Sequence, residues 1–61
     1  MNEELELARS YRFRAEELRA IAELDSTTKN HQVLMNVAQD YERMAKTLDA
    51  IHDTHRILGK T

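Results

Sequence analysis

The strongest constraint in this 61-residue sequence is an internal repeat with a period of thirty residues. The pattern Ala-x-x-Tyr-x-x-x-Ala-x-x-Leu-x-Ala-Ile occurs at residues 8–21 and again at residues 38–51. Its three- and four-residue spacings place the repeated side chains on one face of an α-helix. On one continuous helix, the offset would rotate the second copy by about 120° from the first. The repeat therefore predicts two similar helices that fold back against each other.

The segment between the two copies favours a turn. Residues 25–30 read Asp-Ser-Thr-Thr-Lys-Asn, which are mostly helix-capping residues of low helix propensity. We predict an all-α, antiparallel two-helix hairpin that forms a single domain over residues 1–61. Its elements are a helix over residues 3–25, a turn over 26–28 and a helix over 29–58. Gly59 then follows the second helix as a left-handed cap.

The repeated columns of side chains predict how the two helices meet. Alanines recur seven residues apart in each copy, and a column of small side chains lets antiparallel helices approach closely, as in a coiled coil. Larger side chains in the neighbouring columns interlock beside them. The predicted core of the hairpin comprises Ala8, Tyr11, Ala15, Leu18, Ile21, Ala22, Leu34, Ala38, Tyr41, Ala45, Leu48 and Ile51.

Two helices of this length cannot enclose a hydrophobic core, and the absence of Cys excludes a disulfide staple. Association with a second copy into a four-helix bundle is the simplest remedy, so we expect a homodimer. Phe13, the only Phe, lies away from the repeated stripe and is the leading candidate for that interface. The full predicted interface is Leu5, Phe13, Ala20, Leu24, Val33 and Ile57.

Two histidines near the end of the second helix raise the question of a metal site. His52 and His55 lie three residues apart with Asp49 one turn earlier, and such side chains can bind zinc or another divalent ion. The hairpin offers no obvious further ligand, and neither helix contains a Glu-x-x-His pair. Alternatively, both histidines close the apolar stripe near the acidic first turn of the other helix, residues 3–6. We therefore predict no metal and no other cofactor.

Four arginines cluster on the first helix: Arg9, Arg12, Arg14 and Arg19. In a dimer, the doubled cluster could contact the backbone of a nucleic acid. Against this, glutamates four residues further on offer local partners, as in Arg12–Glu16 and Arg19–Glu23. A formal net charge of −2 gives no overall attraction to phosphate.

Other functional classes find little support in the sequence. There is no Gly-rich phosphate loop, and neither serine stands in a nucleophile motif, so we predict that the protein is not an enzyme. No apolar run approaches the roughly 20 residues needed to cross a bilayer. The acidic residues 3–4 are unlike the basic start of a signal peptide. We expect a soluble, cytoplasmic protein that does not bind membranes.

Two segments resemble a group of short uncharacterised helical-hairpin proteins of alphaproteobacteria. These segments are Tyr-Arg-Phe-Arg-Ala-Glu-Glu-Leu-Arg at 11–19 and Val-Ala-Gln-Asp-Tyr-Glu-Arg-Met-Ala at 37–45. The resemblance covers about two thirds of the chain and implies a helical hairpin, but no activity. In size and topology the chain is also similar to the RNA-binding hairpins of plasmid copy control, which dimerise into four-helix bundles.

The favoured function is a non-enzymatic protein–protein interaction module that acts as a homo-oligomeric bundle and engages an unidentified protein partner. The alternative is a small regulatory hairpin that binds RNA or DNA through the arginines of the first helix. A third hypothesis is a metal-binding helical protein that uses His52 and His55.

Overall fold

The computed structural model describes residues 3–24 and 28–59 and shows two α-helices in contact along their length. Helix α1 spans Glu3–Leu24 and helix α2 spans Thr28–Gly59. Ion pairs join Arg12 to Asp49 and Arg19 to Glu42, so a later residue of α1 meets an earlier residue of α2. The helices are therefore antiparallel, which confirms the predicted helical hairpin.

Helix α1 begins at the predicted residue 3, and α2 begins one residue before and ends one residue after its predicted bounds. Residue 25, the predicted end of the first helix, lies outside the described residues. Thr28, predicted in the turn, begins α2, whereas the remaining turn residues 26 and 27 lie outside the described residues. Gly59 was predicted as a left-handed cap beyond α2, and this prediction is wrong. The helix continues through Gly59, whose φ is not positive, so the residue keeps the right-handed helical conformation.

Local chemistry favours both helices. Three glutamates in the first turn of α1 stabilise the positive end of its dipole: Glu3, Glu4 and Glu6. Arg56 stands in the last turn of α2, where the dipole favours a cation. At the other end of α1, the His31 ring nitrogen Nδ1 donates a hydrogen bond to the Ala22 carbonyl oxygen at 2.9 Å. That carbonyl lies in the final turn, where the helix itself supplies no partner.

Alanines form the line along which the helices touch. Within residues 3–24 and 29–59, the fully buried side chains are Ala8, Ala15, Ala22, Ala38 and Ala45. They fall at seven-residue intervals, and five other members of the predicted core lie half-buried beside them: Tyr11, Leu18, Leu34, Tyr41 and Leu48. The predicted packing of the alanine columns is therefore correct.

Two members of the predicted core are not in it. Ile21 remains 50% exposed and Ile51 remains 40% exposed. Each lies one residue before a position in the alanine column, which turns its side chain about 100° away from the facing helix. These residues belong to one flank of the hairpin rather than to the contact between its helices.

The sequence repeat is also a repeat of the structure. The degree of burial is the same at 17 of 19 positions when residues 4–22 are compared with residues 34–52. Tyr11 and Tyr41, equivalent in the repeat, stack against each other across the two helices. The hairpin thus has an approximate twofold axis that passes between these two rings.

The hairpin is long and thin. Its Cα atoms extend over 52 × 14 × 9 Å, with a radius of gyration of 14.8 Å. A compact domain of this length has a radius of gyration of about 10.5 Å. The accessible surface of 4958 Å² likewise exceeds the roughly 4,100 Å² of a compact protein of this mass. Both flat sides of the helix pair consequently face outward.

Candidate interaction surface

One flat side of the hairpin carries ion pairs that join the two helices. Both terminal nitrogens of Arg19 donate to the Glu42 carboxylate, each at 2.7 Å. Arg12 donates to Asp49 seven residues away along each helix. We call this side the polar face and define it as Arg12, Glu16, Arg19, Glu42, Lys46 and Asp49.

These cross-helix pairs correct the predicted local partners of the arginines. The sequence suggested that Arg12 pairs with Glu16 and Arg19 with Glu23, both within α1. Arg12 and Arg19 lie four residues after alanines of the contact line, so their side chains point along the seam and reach α2. The hydrogen bond from Arg12 to Asp49, together with the negative charge of that carboxylate, raises the pKa of Arg12.

The opposite side of the hairpin is apolar. In each helix it consists of the apolar residues of the column that contains the tyrosine and of the next column outward, which Arg14 interrupts in α1. We call this side the apolar face and define it as Leu7, Tyr11, Leu18 and Ile21 of α1 with Leu34, Val37, Tyr41, Met44, Leu48 and Ile51 of α2. Five of these side chains are half-buried, and the other five are more than a third exposed.

A shallow groove of about 320 Å³ runs across this face where the helices meet. Leu7 and Tyr11 of α1 line one side, and Met44 and Leu48 of α2 line the other. The polar side chains Arg43 and Thr47 stand at its α2 edge. An open groove with apolar walls and a polar rim suits insertion of an apolar side chain from another molecule.

The apolar face is the feature that the sequence analysis missed. Val37 and Met44 were assigned neither to the predicted core nor to the predicted oligomer interface. The signal was present, because Val37, Met44 and Ile51 form a third apolar column at seven-residue spacing in α2. A contact between two helices needs only two such columns, whereas a helix in a larger bundle needs about three of seven positions.

The residues predicted for the oligomer interface point in several directions. Leu5 is half-buried in the column of Arg12 and Arg19, on the polar side. Phe13 and Ala20 share a column on the side of α1 that faces away from α2, and Phe13 is 61% exposed. The others are also exposed: Leu24, Val33 and Ile57. The six residues therefore do not form one continuous surface of the hairpin.

The four arginines of α1 are divided between different sides. Arg12 and Arg19 are held by carboxylates of α2 on the polar face. Arg14 lies in the column of Leu7 and Ile21, beside the apolar face, and forms a 3.5 Å ion pair with Glu17. A nucleic-acid backbone would have to displace these carboxylates, and no single basic surface collects all four arginines.

The two histidines of the proposed metal site face one glutamate. Glu4 lies 3.2 Å from Nδ1 of His55 and 3.7 Å from Nδ1 of His52, as expected for antiparallel helices. A hydrogen bond with its own backbone lowers the pKa of Glu4, as do His55 and His52, while partial desolvation acts in the opposite direction. Asp49, the third candidate ligand, instead accepts the hydrogen bond from Arg12.

This cluster is not arranged as a metal site. Across residues 3–24 and 28–59, no group of three His, Asp or Glu side chains is placed to hold a metal ion. Instead, the Glu4 carboxylate in the first turn of α1 contacts the imidazoles of His52 and His55 in the later part of α2.

Compared with known proteins, the chain matches no protein-family model, no curated protein and no solved structure. The resemblance to the alphaproteobacterial hairpins therefore stays a prediction. A separate finding concerns membranes: neither α1 nor α2 contains a stretch apolar and long enough to span a bilayer.

Proposed function

We propose that this chain is a non-enzymatic interaction module that works as a homo-oligomer, with two hairpins forming a four-helix bundle. The observation that supports this proposal most strongly is that the single hairpin exposes more surface than a compact protein of its mass. Its accessible surface of 4958 Å² is about 900 Å² larger than that of a compact protein of equal mass. One partner in a stable protein–protein complex typically buries about 800 Å². An interface of that size would remove about as much surface as one hairpin exposes in excess of a compact protein of its mass.

The small size of the helix-to-helix core supports the same proposal. The side chains fully buried in the described residues are alanines, and each contributes little apolar area. Ordering the chain costs on the order of 1.5 kcal/mol per residue, which this core alone offsets poorly. The larger apolar side chains are only half-buried in the hairpin, and association would bury the remainder.

In this proposal the polar face stays on the outside of the bundle. It carries arginine, lysine and carboxylate groups, and two of its arginines are already fixed by ion pairs. A fixed pattern of both charges favours recognition of a complementary protein surface, because electrostatic complementarity confers specificity. The outward polar face is thus the surface proposed to meet a protein partner.

Thermal unfolding at several protein concentrations tests the proposal. If two copies associate only when folded, unfolding is coupled to dissociation and the Tm rises with protein concentration. A Tm that does not change over a hundredfold range of concentration, together with a sedimenting mass of 7.1 kDa, would contradict it. A gel shift with mixed RNA and DNA at low salt examines the nucleic-acid alternative, which predicts retardation that Arg12→Ala weakens.

A further inference from the structure

We infer that the apolar face is the surface on which a second copy of this hairpin docks. This inference rests on the proposed homo-oligomeric function and specifies the side of the hairpin that carries it. Three observations support it: the width of the apolar surface, the approximate twofold symmetry of that surface, and the chemistry of the surfaces that remain.

The apolar face is wide enough for a helix pair to seat on it. It takes two neighbouring columns from each helix and runs over residues 7–21 of α1 and 34–51 of α2, about 25 Å along the hairpin at 1.5 Å per residue. Across the hairpin it spans both helices, whose Cα atoms extend over 14 Å in that direction. By contrast, the column of Phe13 and Ala20 is one residue wide on a single helix and begins with the charged Glu6.

The symmetry of the face points to a second copy rather than an unrelated partner. The thirty-residue repeat relates Leu7 to Val37 and Ile21 to Ile51, so the two helices present nearly the same columns. Closed homodimers use the same patch on both subunits. The two halves of this face are equivalent except that the repeat aligns Glu4 with Leu34 and Arg14 with Met44. At its other positions, each apolar column can oppose an apolar column of the other copy.

The chemistry of the opposite side excludes it as the dimer core. Burying the polar face would remove the Arg12–Asp49 and Arg19–Glu42 pairs from water, and desolvating paired charges can cost more than their attraction returns. The ten named members of the apolar face carry no charge and only two hydroxyl groups, so burying them desolvates no ion pair. Arg14 interrupts the outer column of α1 between Leu7 and Ile21, and its aliphatic stem can carry the charge to the rim.

Sedimentation of two glutamate variants tests this assignment. Met44→Glu places a charge in the middle of the apolar face and should weaken self-association on the order of a hundredfold. Phe13→Glu is the matched control on the outer side of α1 and should leave the association constant within about a factor of two. If Phe13→Glu weakens self-association more than Met44→Glu does, the apolar face is not the interface, although the protein is still a homo-oligomer. Wild-type protein that stays monomeric would instead refute the proposed function itself.

Because Met44→Glu can also unfold a hairpin that is stable only as a dimer, a milder pair of variants complements it. The sequence contains no Cys, so Met44→Cys and Phe13→Cys each introduce one thiol. As protein concentration rises through the dimerisation range, alkylation of the Met44→Cys thiol should slow about tenfold, and that of Phe13→Cys should not. Protection of the Phe13→Cys thiol alone, or equal rates at all concentrations for both, would overturn the inference.

Discussion

Tyr11 and Tyr41 face each other with ring centroids 5.5 Å apart and ring planes inclined by 36°. They are thirty residues apart and occupy the same position of the repeat, so the contact lies on the approximate twofold axis of the hairpin. The same axis relates the two cross-helix ion pairs with their charges exchanged. Arg12 corresponds to Glu42, and Asp49 corresponds to Arg19. One helical pattern, used twice, therefore provides both the core and the ion pairs that hold it.

Enlarging a buried alanine should destabilise the hairpin. Ala15 is fully buried where the helices touch, so Ala15→Leu forces them apart and should lower the free energy of unfolding by about 1–3 kcal/mol. The matched control is Ala20→Leu, an exposed position on the same helix, with an expected change within about 0.5 kcal/mol. Urea unfolding at one fixed protein concentration measures the free energy of unfolding of both variants. Equal effects would show that the alanine column is not the contact line.

The bidentate pair of Arg19 and Glu42 should couple energetically across the two helices. A double-mutant cycle with Arg19→Gln and Glu42→Gln should give a coupling free energy of about 0.5–1 kcal/mol. The same cycle for Arg14 and Glu17, which lie 3.5 Å apart on one exposed surface, should give about 0.3 kcal/mol. A cross-helix coupling no larger than the local one would argue against the bidentate geometry.

Glu4 should make stability depend on pH at the acidic end. Its pKa is lowered in the folded state, so its contribution is present above the unfolded pKa and is lost as the pH falls through the folded pKa. The Tm difference between wild type and Glu4→Gln should therefore shrink as the pH is lowered from about 5 to about 3. An NMR titration of the Glu4 carboxyl should give a midpoint below 4.5.

Glu6→Gln provides the control for this pH dependence. Glu6 lies in the same first turn but is exposed on the outer side of α1, so its substitution should change the pH profile less than Glu4→Gln does. A Glu4 midpoint at or above its ordinary value would show that neither its backbone hydrogen bond nor its contacts with His52 and His55 stabilise the carboxylate.

Replacing Arg14 should tighten self-association. The repeat aligns Arg14 with Met44, and Arg14→Met would make the outer apolar column of α1 continuous between Leu7 and Ile21. Burying that side chain against a second copy should lower the Kd about tenfold. Arg9→Met, on the polar side of α1, is the control and should leave the Kd unchanged. A Kd that rises in Arg14→Met would mean that the guanidinium itself contributes to the interface.

The sequence was sufficient to predict the hairpin because its decisive signal is periodic. Ala8 and Ala15 recur as Ala38 and Ala45. The sequence alone shows both their seven-residue spacing and the offset of thirty residues between the two copies. The start of α1 and both bounds of α2 were predicted to within one residue. The antiparallel arrangement also predicted correctly that the histidines approach the first turn of α1, where Glu4 lies between them.

The direction of individual side chains could not be predicted in the same way. Arg12 has a carboxylate four residues along its own helix and another on the facing helix, and the choice depends on the register between the helices. Likewise, apolar residues off the main stripe were all assigned to one predicted interface. Leu5 and Phe13 were therefore placed together, although they lie on different sides of the hairpin. Only the relative placement of α1 and α2 separates the apolar face from the polar face.

Whether a second hairpin covers the apolar face can be measured by NMR on a mixture of isotope-labelled and unlabelled protein. An isotope-filtered NOE experiment detects only proton pairs that belong to different copies. We expect intermolecular cross-peaks from the methyl groups of Leu7, Met44 and Ile51, and none from the ring of Phe13. Intermolecular cross-peaks confined to Phe13 and Ala20, or no such cross-peaks at millimolar concentration, would contradict it.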